Sequence, residues 1–431
     1  MKYSFVVIAL LTTLLSAAQD TTGIQVISLS KEIYDGVLDE ALTPNYLLPI
    51  AMSDSLLNMA KGGEHQSLAE QSLSWYFSYV GEYKRALELD QNAMTPRLLN
   101  LQNFAGMNGY EPASAVAEIT KAASKVDYLL INEAHHKPFH RLFTLSLLSN
   151  LKEQGYTSLA IETLAKDDIS VNDSKKIDKG LGGLAIEPNY ANLIRQALAL
   201  GYKILPYDYN EEFEFTQRDS AAAARLLEHK VNGSKGKTIV HCGSEHVDRT
   251  QKSLVYWLEE MSKAKVLSVN QTFFCEEFSK TKESPFYQMA VTQFKNKEPF
   301  VLKNDKEFYK EDETSDIFVF HPRTSYVDNR PDWFLRFTSP VVRYPVLIPE
   351  KILKDISELA LVQVYLKGEE SDGIPVDQFM IGPDIAFKQT TFVSKGNYVI
   401  QVKNIDRKLI SQADLDVVSL SEAVFSDVKR R

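Results

Sequence analysis

Between residues 113 and 322, short apolar runs rich in β-branched residues alternate with amphipathic windows of helical length, and no other feature of the chain restricts its fold as much. The runs occupy 126–131, 158–161, 203–206, 238–240, 265–269 and 317–320; the windows between them include 139–154, 190–200, 217–229 and 251–263. Strands separated by helices of this length predict βαβ units. The runs are almost continuously apolar, as strands covered on both faces require. The expected fold is therefore α/β, a largely parallel sheet with helices on both faces.

The flanks read differently. Residues 19–112 are helical in pattern, with Leu68, Leu73, Trp75, Phe77, Val80 and Tyr83 spaced along 67–88. The stretch Gly81-Glu82-Tyr83-Lys84-Arg85-Ala86-Leu87-Glu88 resembles the second helix of a tetratricopeptide hairpin, but no second copy follows at the period of about 34 residues that a solenoid needs. A helical hairpin packed on the next domain is the simpler expectation. Beyond the Pro-punctuated segment 322–349, apolar runs at 359–366, 387–393 and 398–402 lie between turns at Gly368, Gly373, Gly382 and Gly396, which predicts a small β-sandwich-like appendix. The expected division is a signal peptide at 1–18, a helical region at 19–112, an α/β catalytic or ligand-binding domain at 113–335 and a small β-rich domain at 345–425.

The N-terminus supplies an address. Lys2 precedes an apolar run at 5–15, and Ser16-Ala17-Ala18 stands before Gln19, the pattern of a secretory signal cleaved after Ala18. That run is too short to span a bilayer, and no later stretch reaches the roughly 18 apolar residues of a membrane helix. A secreted or periplasmic protein without a transmembrane segment is expected. The chain carries 48 Lys plus Arg against 57 Asp plus Glu, a net charge of -9, with no basic stripe beyond Lys429-Arg430-Arg431. Nucleic acid is thereby excluded as a partner. Two cysteines and eight histidines exclude a disulfide framework and a Cys-rich zinc module. Cys242 and Cys275 are read as two free buried thiols rather than a pair.

Ligands of a parallel sheet bind beyond the carboxyl ends of its strands. The first run ends in Asn132-Glu133-Ala134-His135-His136, the second in Glu162, the third in Asp208, the fourth in His241-Cys242-Gly243-Ser244-Glu245-His246 and the sixth in His321. Glu133 and His135 are two apart and face the same way on extended chain, so they can converge as two ligands of a divalent ion or as a base with its orienting partner. His136 would point away and cap the next helix, and His140 would be structural or stand at the edge of the substrate. Gly243 lets backbone amides and His246 approach a ligand closely. His241, inside its strand, reads as a core histidine. Arg218 opens an Ala-rich helix and could clamp an anion or steady developing negative charge.

Taken together, the segment from Leu130 through Glu133, His135 and His140, the strand closing on Glu162, the Arg218 helix and the Gly-x-x-His turn Gly243 to His246 resemble the erythromycin esterase and ChaN-like superfamily, whose relatives include TraB and Tiki-type hydrolases. The resemblance covers about residues 114–322. It implies an α/β fold with a cleft at the strand ends, and Glu133, His135, Glu162, Arg218 and His246 are the matching positions. Esterase-like members use Glu and His to activate water against an ester or lactone, Tiki-type members resemble metal-dependent peptidases, and ChaN-like members bind haem in an exported setting. This chain departs from the pattern by placing Asn132 where a glycine usually precedes the glutamate.

The expected function is an exported hydrolase acting on an ester, lactone or peptide bond of a small-molecule or peptide substrate. His246 or Glu133 would take a proton from water, Glu162 would orient that base and Arg218 would stabilise the oxyanion. A divalent metal on Glu133, His135 and His246 is compatible with this set. The alternatives are a haem- or metal-binding protein without turnover, with His135 or His246 as axial ligand, and a non-catalytic interaction protein that meets a protein partner through the helical hairpin or the β-rich appendix.

Overall fold

Each of the six apolar runs forms a strand in the computed structural model, which describes residues 21–38, 43–93, 109–162, 164, 169–208, 217–231, 236–354, 356–383 and 388–430. Residues 1–18, read as a signal peptide, lie outside the described residues. The chain divides into two compact units, one of residues 1–94, 176–192 and 325–431, the other of residues 95–175 and 193–324. Among the described residues no helix is long and apolar enough to cross a membrane.

The second unit holds an eight-stranded sheet. Its strands are β1 (Glu111–Ser114), β2 (Tyr128–Glu133), β3 (Tyr156–Ile161), β4 (Lys203–Pro206), β5 (Lys237–Gly243), β6 (Val266–Phe274), β7 (Phe300–Lys303) and β8 (Ile317–Phe320), in the order β1-β7-β8-β6-β2-β5-β3-β4. The pairs from β8 through β4 are parallel, and β1 and β7 close one edge antiparallel. The α/β expectation is met. β1 was not foreseen: Glu-Pro-Ala-Ser carries no apolar period, and its proline is tolerated because the strand lies on an edge.

Alternate residues of the central strands face opposite ways and both sets are buried. Tyr128, Leu130, Ala160, Val240 and Cys242 pack with Ala222, Ala223 and Leu226 of the helix Arg218–Val231 and with Leu254, Val255 and Leu258 of the helix Leu254–Ser262. Leu129, Ile131, Leu159, Ile161 and Ile239 are equally buried, and the helix Phe139–Glu153 packs on β2 and β3. Each fully buried Leu or Ile contributes on the order of 2 kcal/mol. That helix starts at Pro138 with no side-chain cap, so His136 does not serve as one; it is buried instead. Cys242 and Cys275 are both free and buried.

The first unit joins helices Thr21–Val37, Leu48–Ala60, Gln66–Tyr79 and Tyr83–Ala93 to antiparallel sheets. Its six-stranded sheet runs Asp377–Ile381, Ala360–Leu366, Gly396–Asn404, Leu409–Ser419, Glu422–Phe425, with Lys429–Arg430 also on Leu409–Ser419; Tyr344–Leu347 pairs with Thr390–Val393. The turn of the helical hairpin docks on the first of these strands. Met380 N–H donates to Val80 O at 2.8 Å, and Gln378 Nε2 donates to Tyr79 O at 2.8 Å. Gly81 has φ +81°, and a Cβ there would lie 3.0 Å from Phe379 Cβ, so the turn requires glycine both for its conformation and for its close approach.

Candidate functional site

β2 pairs with β5 so that Ile131 stands opposite His241 and Glu133 opposite Gly243. Residues two apart on a strand share a face, which puts the Glu133 and His241 side chains on the same side of the sheet. The helix Phe139–Glu153 covers β2 there and brings Arg141 and Thr144 to them.

Glu133 is the hub of this half of the site. Its Oε1 lies 2.7 Å from His135 Nδ1 and accepts from Arg141 Nη2 at 2.7 Å. Its Oε2 accepts from Arg141 Nε at 2.7 Å and lies 2.7 Å from His241 Nε2. Glu133 is 1% exposed and Arg141 0%. Burial alone would raise the pKa of Glu133, but the Arg141 guanidinium, His241 and the bond from His135 outweigh it and hold the carboxyl well below 4.5. An ionised carboxylate only accepts, so both imidazoles present an N–H to it. The peptide carrying His135 is tied down as well: Arg141 Nη2 donates to His135 O at 2.9 Å, and Ala134 N–H donates to His140 Nδ1 at 3.0 Å. Burial pushes the pKa values of His136 and His140 well below 6.5, so both are uncharged at neutral pH.

The second half stands at the ends of β3, β4 and β5. Arg218 Nη2 donates to Glu162 Oε1 at 2.6 Å, while Arg218 Nε and Nη2 grip Asp208 at 2.9 and 2.7 Å in a forked pair. His246 sits in the turn Ser244–Val247, its Nδ1 2.6 Å from Asp219 Oδ1 and its Nε2 3.6 Å from Glu162 Oε1. Burial alone would lower the pKa of His246, but Asp219 and Glu162 push it up to about 10, so the ring is a cation at neutral pH. Burial would raise Glu162; His246 and Arg218 hold it well below the usual carboxylate range.

Gly243 joins the two halves. Its N–H donates to Glu162 Oε2 at 2.6 Å. A Cβ on Gly243 would stand 3.2 Å from Glu162 Oε2 and 3.5 Å from His135 Nε2, so the two side chains flank the same Cα. Glycine keeps that space clear.

Asn132, where the superfamily that the sequence resembles usually has a glycine, turns away from Glu133 and is fully buried. Its Nδ2 donates to Ser244 O at 2.9 Å and to Thr272 Oγ1 at 3.2 Å, and its Oδ1 accepts from Gln271 N–H at 2.8 Å. It clasps the turn that carries His246 to β2 and β6.

All five residues singled out in the sequence, Glu133, His135, Glu162, Arg218 and His246, stand at these strand ends. His241, read as a core histidine, is fully buried and also binds Glu133. Arg141 and Asp219 were missed; Arg141 is the one Lys, Arg, Asp or Glu in 139–148, which was a signal for it. His321 lies aside, its Nε2 3.2 Å from Gln271 Oε1. The metal set does not fit: among the described residues no three His, Cys, Asp or Glu side chains converge to hold an ion. Both oxygens of Glu133 are engaged by Arg141, and both nitrogens of His246 face carboxylates. Haem ligation by His246 does not fit either. Both nitrogens of His246 face carboxylates, Asp219 at Nδ1 and Glu162 at Nε2, which leaves neither turned to an iron.

No family model matches the chain, and no curated protein matches it. Among solved structures, the type III effector HopBA1 is similar over 50% of this chain and 98% of its own, at 14% identity and a TM-score of 0.34. ChaN of Campylobacter jejuni, solved with cofacially bound haem, is similar over 50% of this chain and 98% of its own, at 13% identity and a TM-score of 0.34. RRSP, a MARTX toxin effector domain from Vibrio vulnificus, is similar over 58% of this chain and 48% of its own, at 15% identity and a TM-score of 0.28.

Proposed function

We propose that the protein is an exported hydrolase in which His135 takes a proton from a water molecule held beside Gly243, for attack on an ester, lactone or peptide bond of a small-molecule or peptide substrate. The observation that carries this is the His135 ring itself: Nδ1 on an ionised, immobilised carboxylate at 2.7 Å and Nε2 on the side of Gly243. A carboxylate behind Nδ1–H fixes the tautomer that leaves Nε2 as proton acceptor, and it stabilises the imidazolium that forms.

The roles differ from those suggested by the sequence. Glu133 is a poor base because Arg141 and His241 hold its charge, and His246, already protonated, has no lone pair for a proton. His246 instead brings a fixed positive charge to the strand ends, where negative charge develops on the attacked carbonyl. Arg218 commits Nε and Nη2 to Asp208 and Glu162, so it steadies the carboxylates. Export rests on the N-terminal segment and is tested by sequencing the mature N-terminus, expected at Gln19.

The test is hydrolysis of a panel of aryl esters, lactones and short peptides in the presence of a chelator. His135→Ala and Glu133→Gln should lower turnover by about 10²- to 10⁴-fold. Turnover unchanged in His135→Ala, or none across the panel, would sink the proposal. A Soret band on adding haem, lost in His135→Ala, would favour the binding protein in its place.

A further inference from the structure

We propose that His241 is a positioning residue for His135, acting through the carboxylate the two rings share; this rests on His135 being the base of the hydrolysis inferred above. Each oxygen of Glu133 takes one guanidinium N–H and one imidazole. Oε2 has Arg141 Nε and His241, both at 2.7 Å, and Oε1 has Arg141 Nη2 and His135, both at 2.7 Å. Arg141 sets the plane of the carboxylate, and the two imidazoles fill the remaining positions. Thr144 Oγ1 stands 3.2 Å behind His241 Nδ1. A Thr144 O–H donated to Nδ1 leaves the His241 proton on Nε2, aimed at Glu133, so the hydrogen bonds run in one direction from Thr144 through His241 to Glu133 Oε2.

The consequence for His135 follows from the lone pairs. Without the His241 donor, Oε2 keeps a buried lone pair with no partner, which is costly at a site where Glu133, Thr144 and His241 are at most 1% exposed. The His135 N–H on the other oxygen is drawn toward it, the ring tilts, and Nε2 leaves the Gly243 side. The filled Oε2 is therefore what keeps His135 in its working orientation, with Nδ1–H on Oε1 and Nε2 on the Gly243 side.

The test reads the orientation of the ring directly. A nuclear Overhauser contact between the His135 ring and Gly243 Hα, in the full chain without substrate, should be present in the wild type and lost in His241→Leu. His241→Gln, whose Nε2 can reach the place of the imidazole Nε2 and donate to Glu133, should restore it. On an aryl ester, His241→Leu should lower kcat on the order of tenfold with KM held within about twofold, as expected for an outer partner of a reacting group. Thr144→Val, which keeps the shape and removes only the hydroxyl, should weaken the contact in the same way and serves where His241→Leu does not fold. An unchanged contact in the folded variants overturns the proposal. An ester panel without turnover would remove the hydrolase while the contact still judges His241.

Discussion

Replacing Arg141 with methionine should destabilise the α/β unit severely at neutral pH and less so in mild acid. The side chain is fully buried and donates to both Glu133 oxygens at 2.7 Å and to His135 O at 2.9 Å. Two unit charges about 4 Å apart at an effective dielectric near 20 interact by about 4 kcal/mol. Removing one partner of a buried pair costs about 3–5 kcal/mol, because the other charge is left without compensation. The pH dependence has a definite sign. In the wild type the depressed Glu133 pKa contributes stability above its ordinary value of 4.5, lost only as the pH falls below that. In Arg141→Met the largest of the interactions that offset burial is gone, the Glu133 pKa rises, and the penalty shrinks as the pH falls through the new value, by at most about 1.4 kcal/mol per pH unit. Urea unfolding followed by Trp257 fluorescence, with Trp75 and Trp333 changed to Phe, isolates this unit. Glu133→Gln combined with Arg141→Met should unfold at higher urea than Arg141→Met alone. A loss under about 1 kcal/mol at about pH 7.5, or a gap from wild type that does not narrow by about pH 5.5, would refute the argument.

Other consequences are equally direct. His246, with its pKa raised from 6.5 to about 10, contributes stability that is full below pH 6.5 and lost as the pH rises through 10. The stability gap between wild type and His246→Gln should therefore close on going from neutral to strongly alkaline buffer, and a gap that widens there would contradict the assignment. Gly243→Ala puts a methyl 3.2 Å from Glu162 Oε2, which is pinned by the Gly243 N–H and cannot give way; a loss of about 1–3 kcal/mol is expected in thermal unfolding, together with a fall in turnover. Asn132→Ala removes the clasp on Ser244 O and Gln271 N–H and should cost about 1–3 kcal/mol, with faster hydrogen exchange at the Ser244–Val247 turn.

The parallel sheet was legible because its signal is local. A strand covered on both faces must be apolar throughout, so each central run announced itself within a few residues. Leu409–Ser419 did not, because its inward positions include Ser411 and Ala413, which lower the contrast between its faces. The pair Glu133 and His135 was singled out as neighbours on extended chain, but the strand ends at Glu133, and His135 meets it from the turn closed by Lys137 N–H on Ala134 O.

The sequence by itself determined which residues stand at strand ends, since strand length and spacing are set by short-range hydrophobic pattern. Only the tertiary structure decided what those residues meet. The strand order inserts β5 between β2 and β3, and that places His241, far along the chain, on the carboxylate of Glu133. The helices laid over the two faces then bring Arg141 to one carboxylate and Asp219 to His246. Charge states follow from those neighbours, because a buried group takes its proton affinity from the few charges within hydrogen-bond reach, and these come from elements that no window of sequence contains together.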